Sequence, residues 1–178
     1  MTRITFHRRT LLAAGLASSA MLARPDRGFA RAARELSVLN LHTGERLKAA
    51  FFDAGAYVPE ALAAFDRVLR DHRTGEVHPI APELLDLITM LQGRLGVSET
   101  VQIISGYRSP QSNSQLAKAS SGVATRSLHM QGKAIDIRIA GVDLTRLRDA
   151  ALTLQRGGVG YYAASNFVHV DIGRVRRW

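Results

Sequence analysis

Two histidines and one aspartate in the second half of the chain have the residue types and settings of metal ligands. Ser127-Leu128-His129-Met130-Gln131-Gly132-Lys133-Ala134-Ile135-Asp136 reads as a loop carrying an imidazole, a turn at Gly132 and the start of a strand. In that strand Ile135, Ile137 and Ile139 share one face, so Asp136 and Arg138 point the other way. Phe167-Val168-His169-Val170-Asp171-Ile172 repeats the arrangement, with Val168, Val170 and Ile172 on the core face and His169 and Asp171 opposite. Two imidazoles and one carboxylate make a three-ligand set, which leaves a position for water or substrate, as in hydrolytic rather than structural zinc sites. The same donors suit other divalent transition metals. Taken singly, a strand histidine or an aspartate after a glycine loop has an ordinary structural explanation. The joint placement, on polar faces of strands backed by core, favours ligation.

These residues resemble the zinc peptidase family that groups D-Ala-D-Ala dipeptidases and carboxypeptidases with phage endolysins and hedgehog-type domains. The shared S-x-H-x-x-G-x-A-x-D motif falls on Ser127, His129, Gly132, Ala134 and Asp136, with His169 as the later histidine. Ser105-Gly106-Tyr107-Arg108-Ser109 is similar to the family's S-G-Y-R-S element, whose arginine lies in the active site. Leu41-His42-Thr43-Gly44-Glu45, the Gly157 to Tyr162 run and Asn166 to Asp171 extend the similarity over nearly the whole chain, toward the murein endopeptidases of that family. The resemblance implies one Zn2+ per chain held by His129, Asp136 and His169. It also implies hydrolysis of peptide cross-links in peptidoglycan, either D-Ala to diaminopimelate or diaminopimelate to diaminopimelate, with Arg108 stabilising the developing oxyanion.

One position departs from the family pattern. D-Ala-D-Ala peptidases carry an acidic general base three residues before the last histidine, and this chain has Asn166 there. Asp171 is the nearest acidic substitute, either as the catalytic proton acceptor or as a carboxylate orienting a ligand. His42 and Tyr162 are weaker candidates for proton handling or substrate contact, whereas His72 and His78 read as surface histidines. A D,D-carboxypeptidase trimming stem peptides and a non-catalytic, zinc-containing wall-binding domain are the alternatives.

Phe6-His7-Arg8-Arg9-Thr10-Leu11-Leu12 places paired arginines before a weakly apolar run, Leu11 through Leu22, ahead of small residues around Ala30-Arg31-Ala32. This resembles a twin-arginine export signal over residues 1–32, cleaved near Ala32, and implies a periplasmic product. The run is far shorter than the ~20 residues of a membrane-spanning helix, so no stable membrane anchor is expected after cleavage. Removing residues 1–32 lowers the formal charge from +9 to +4. Arg174, Arg176 and Arg177 still crowd the C-terminus, which favours anionic partners such as cell wall. Nucleic acid is not an expected partner, because basic and aromatic residues do not interleave. The chain contains no cysteine, which excludes disulfides, thiolate ligands and a lipid-modified N-terminal cysteine. Oligomeric state leaves no trace in the sequence.

Residues 33–178 fit one compact zinc peptidase domain. Leu36 to Leu41 and Leu47 to Phe52 read as strands around a turn at His42-Thr43-Gly44-Glu45. Helices are expected from Pro59 to about Arg73, from Pro82 until Gly93 and Gly96 end it, from Pro110 to about Ala119, and from Asp143 to Leu154. Val101 to Ile104 is a strand that delivers Arg108 at its end. The glycines at 157, 158 and 160 permit a tight return to a final strand. The expected fold class is α+β: helices packed on a small, mainly antiparallel sheet whose open face carries the metal.

Overall fold

The computed structural model describes residues 32–119 and 124–178. The expected leader up to residue 31, and residues 120–123 of the approach to the metal loop, lie outside them. The first strands, β1 (Arg34–Asn40) and β2 (Arg46–Asp53), form the expected hairpin. Its turn is held by the Asn40 carboxamide oxygen, which accepts from the backbone of His42 and Thr43, while Gly44 takes the left-handed φ of 75°. A two-residue strand, β3 (Ala56–Tyr57), extends the edge. Arg34 lies over the Phe52 ring, 3.7 Å from its centroid, and pairs with Asp86, which also accepts from the Tyr57 hydroxyl.

Helix α1 (Pro59–Val68) stops short of the expected Arg73. Its last carbonyls are taken by other parts of the chain: the Asn40 side chain donates to Val68 O, and the backbone of Tyr107 donates to Leu69 O. Asp71 then accepts from the amides of Arg73 and Ser109, so the segment after the helix is fixed against the S-G-Y-R-S element. Helix α2 (Pro82–Leu95) runs through Gly93 and ends at Gly96 in the left-handed conformation.

Strand β4 (Val101–Ser105) leads into α3 (Pro110–Ala119), whose first turn is capped by Ser109 Oγ accepting from the Ser112 amide. A short 3-10 turn, Leu128–Gln131, precedes β5 (Ala134–Ile139). Helix α4 (Leu144–Leu154) is capped by the Asp143 carboxylate, as its sequence suggests. Of the three glycines expected in a turn, Gly158 and Gly160 belong to a strand, β6 (Gly158–Tyr162), and β7 (Phe167–Asp171) is followed by a further short strand, β8 (Arg176–Arg177). Glycine weakens a strand and usually signals a break. Here a Cβ on Gly158 would collide with the Asp171 and Arg176 side chains, and one on Gly160 would lie 2.7 Å from the Trp178 ring.

The eight strands form one sheet in the order β3-β2-β1-β4-β5-β7-β6-β8. Only β1 with β4 and β6 with β8 run parallel, so the sheet is mixed but mainly antiparallel, within an α+β fold. Helix α2 packs over β1, α4 packs over β5 to β7, and the two helices touch. Leu36, Val38, Ile103, Ile135, Ile137, Val168 and Val170 join Leu84, Ile88, Leu91 and Leu147 in one core. Full burial of each such side chain is worth about 1.5–3 kcal/mol. Alternation along β5 and β7 turns Asp136 and His169 to the opposite face.

Candidate metal centre

Strand register assembles the site. Ser105 on β4 pairs with Asp136 on β5, Asp136 with His169 on β7, and His169 with Gly160 on β6, so these four positions form one row across the sheet. His129 arrives from the 3-10 turn, which Ser127 caps by accepting from the His129 amide and Gly132 closes with φ 63°. A side chain at Gly132 would collide with the Pro79 carbonyl, so the turn that aims His129 requires glycine.

The three expected ligands converge. His129 Nε2 lies 3.1 Å from His169 Nδ1 and 3.3 Å from Asp136 Oδ1, and His169 Nδ1 lies 2.8 Å from Asp136 Oδ1. Ligands about 2.0–2.1 Å from a tetrahedral zinc ion sit about 3.3 Å from one another, so this spacing is near that of a loaded site. Among the described residues no other group of three or more histidines and carboxylates comes this close together. The far nitrogen of each imidazole is engaged: His129 Nδ1 donates to Gly106 O at 2.7 Å, and His169 Nε2 donates to Asp171 Oδ2 at 3.1 Å. Both contacts fix the tautomer that leaves a lone pair facing the other ligands.

Electrostatics agree. Burial alone would raise the Asp136 carboxyl, but His129 and His169 outweigh it and hold it well below the usual carboxylate range. Burial would depress His169, yet Asp136 and Asp171 reverse that and raise it. An ionised carboxylate between two imidazoles is the donor set that a divalent ion takes, since ligands must bind deprotonated.

Asp171 is fully buried. Besides His169 it accepts from the amides of Gly158 and Gly173 and from both terminal nitrogens of Arg176. Arg176, expected from sequence to favour anionic partners together with Arg174 and Arg177, is tied to this carboxylate. Asn166 lies in the turn between β6 and β7 with φ 54°, a left-handed conformation that Asn tolerates better than most residues.

Arg108 borders the candidate ligands, with Nη2 3.7 Å from Asp136 Oδ2. Its hydrogen bonds to Asn113 and Ser105 are long, 3.5 Å each, and its buried Nε has no partner among the described residues. Burial depresses its pKa, opposed by Asp136. A buried guanidinium with unused donors beside a ligand cluster is suited to an anionic or polarised oxygen.

The remaining candidates sit elsewhere. His42 stacks on His72 with ring centroids 3.7 Å apart, and His78 stacks on Tyr107 at 4.6 Å. His72 and His78 are thus half-buried stacking partners rather than plain surface residues. Tyr162 Oη accepts from Trp178 Nε1 at 2.7 Å. The Trp178 ring, 5.2 Å from that of His169, went unnoticed in the sequence, where a terminal tryptophan after three arginines carries no motif.

Residues 29–178 match the family described as Peptidase_M15_2, peptidoglycan L,D-endopeptidase MepK. The chain belongs to this family. It is 44% identical to the peptidoglycan L,D-endopeptidase MepK of Escherichia coli K12 over the full length of both, and equally similar to that of Shigella flexneri. A protein of Haemophilus influenzae described as a probable peptidoglycan L,D-endopeptidase MepK is 44% identical across 82% of this chain and 78% of its own. Family membership, together with the His129, Asp136 and His169 cluster, makes the protein a metallopeptidase.

Proposed function

We propose that the protein is a zinc-dependent endopeptidase that cleaves peptide cross-links of peptidoglycan. The observation that carries this is the convergence of His129 Nε2, Asp136 Oδ1 and His169 Nδ1 within 3.3 Å, each imidazole locked in the tautomer that faces its neighbours. When bound there, one zinc ion supplies Lewis-acid polarisation of a carbonyl and activation of water near neutral pH. The chain's own residues supply the rest. Gly106 and Asp171 hold the two imidazoles in place, and Arg108 donates to the carbonyl oxygen as it gains negative charge. The designation of the relatives favours a bond between an L and a D centre, hence a diaminopimelate to diaminopimelate link over the D,D link to D-Ala. Arg8 and Arg9 before an apolar run support export by the twin-arginine route to the periplasm, where this substrate lies.

Digestion of purified sacculi, with and without chelator, tests the proposal. Once the glycan strands are cut by a muramidase, conversion of cross-linked dimers to monomers only in samples without chelator is the expected result. Stem shortening alone would make the protein a carboxypeptidase, and wall binding without cleavage would make it a binding domain.

A further inference from the structure

The row Ser105, Asp136, His169 and Gly160 lacks a fourth side chain, and the last residue of the chain fills that gap. Trp178 reaches the site because β8 pairs in parallel with β6: its amide donates to Val159 O, and its carbonyl accepts from the Tyr161 amide. The indole lies against Gly160, where a Cβ would fall 2.7 Å from the ring, and tilts over the His169 imidazole at 50°. Two polar contacts fix it. Nε1 donates to Tyr162 Oη, and Arg176, held by Asp171, lies 4.8 Å from the ring centroid. A ring with this much support would be expected to bury itself, yet Trp178 keeps 51% of its surface exposed. Hydroxyl, cation and glycine therefore brace a half-exposed aromatic ring beside His169.

We infer that Trp178 is a substrate-positioning residue, whose exposed indole face receives the aliphatic part of the stem peptide next to the bond to be cleaved. The inference rests on the endopeptidase function proposed above. A diaminopimelate side chain is a run of methylenes with charged groups at its ends. Methylenes pack well on an indole face, and the exposed Arg174, in the same C-terminal segment, adds positive charge for its carboxylates. Tyr162 acts through Trp178, by holding the indole at the angle that leaves this face free.

The chain contains a single tryptophan, so its emission reports on this position alone. Zinc-loaded Arg108→Ala protein, in which turnover is slowed, should show a saturable emission change when titrated with a purified diaminopimelate-cross-linked muropeptide dimer. In the Arg108-containing enzyme, Trp178→Ala should raise KM for that dimer about ten-fold, with kcat within about two-fold and bound zinc unchanged. Trp178→Phe, which keeps an aromatic face, should restore most of the loss. Unchanged emission together with unchanged KM overturns the inference. So does a fall in zinc content or in kcat without a rise in KM, which would make the ring mere packing for His169. Wild-type protein that cleaves no cross-link but still shows saturable emission change would refute the endopeptidase function and leave the aromatic platform standing.

Discussion

The bonding of Asp171 separates its two expected roles. A carboxylate that accepts from His169, Arg176 and two backbone amides is held ionised far below its ordinary range, although burial pushes the other way. Such a group is a poor proton acceptor and a good anchor for an imidazole. Asp171→Asn is therefore expected to weaken zinc binding about 10–100-fold while turnover at saturating zinc persists. Turnover that stays lost in excess zinc would give Asp171 the proton-transfer role instead. Arg108 makes the opposite case, with a buried Nε that has no partner among the described residues and long bonds elsewhere. Arg108→Ala should keep its fold and zinc content and lose about 10²–10³-fold in kcat, with Arg108→Lys recovering little. Circular dichroism, metal analysis and steady-state kinetics on the same preparations check this, and unchanged kcat would remove Arg108 from the mechanism.

Among the elements, the segment after α1 places a histidine where protonation is disfavoured. Burial and the neighbouring His42 push His72 down to about 4, with Arg73 and Arg108 acting in the same direction and Asp71 against them. A histidine that is harder to protonate when folded leaves stability intact above its unfolded pKa of about 6.5 and removes it as pH falls from there toward about 4. Thermal melts of metal-free protein across that window should therefore show a shallower decline for His72→Gln than for the wild type. Equal slopes would assign the acid sensitivity to other groups. This stacked pair was invisible in the sequence, because 30 residues separate His42 from His72 and only the end of α1 brings them together. The metal strands were legible, since alternation of Ile135, Ile137, Val168 and Val170 fixes which way Asp136 and His169 point. Strand β6 was not, because Gly158 and Gly160 read as breakers until their close neighbours, Arg176 and Trp178, are known. Likewise α1 ends early through contacts from Asn40 and Tyr107, which no local pattern announces.

At the scale of the whole molecule, the three candidate ligands come from β5, β7 and the 3-10 turn, so loading with zinc should stabilise the entire domain. At a thousand-fold excess of zinc over its dissociation constant the gain is about 4 kcal/mol, equivalent to about 10 °C in melting temperature for a domain of this size. Scanning calorimetry with and without chelator reads this directly, and coincident melts would mean that the ligands hold no ion. Far from the metal, Arg34 joins β1, β2 and α2 through Phe52 and Asp86. That junction sets how far the chain can be shortened from its N-terminal side. A variant beginning at Ala32 or Ala33 keeps the guanidinium, whereas one beginning at Glu35 or later would leave Asp86 without its cation and should melt several degrees lower with its zinc affinity unaltered.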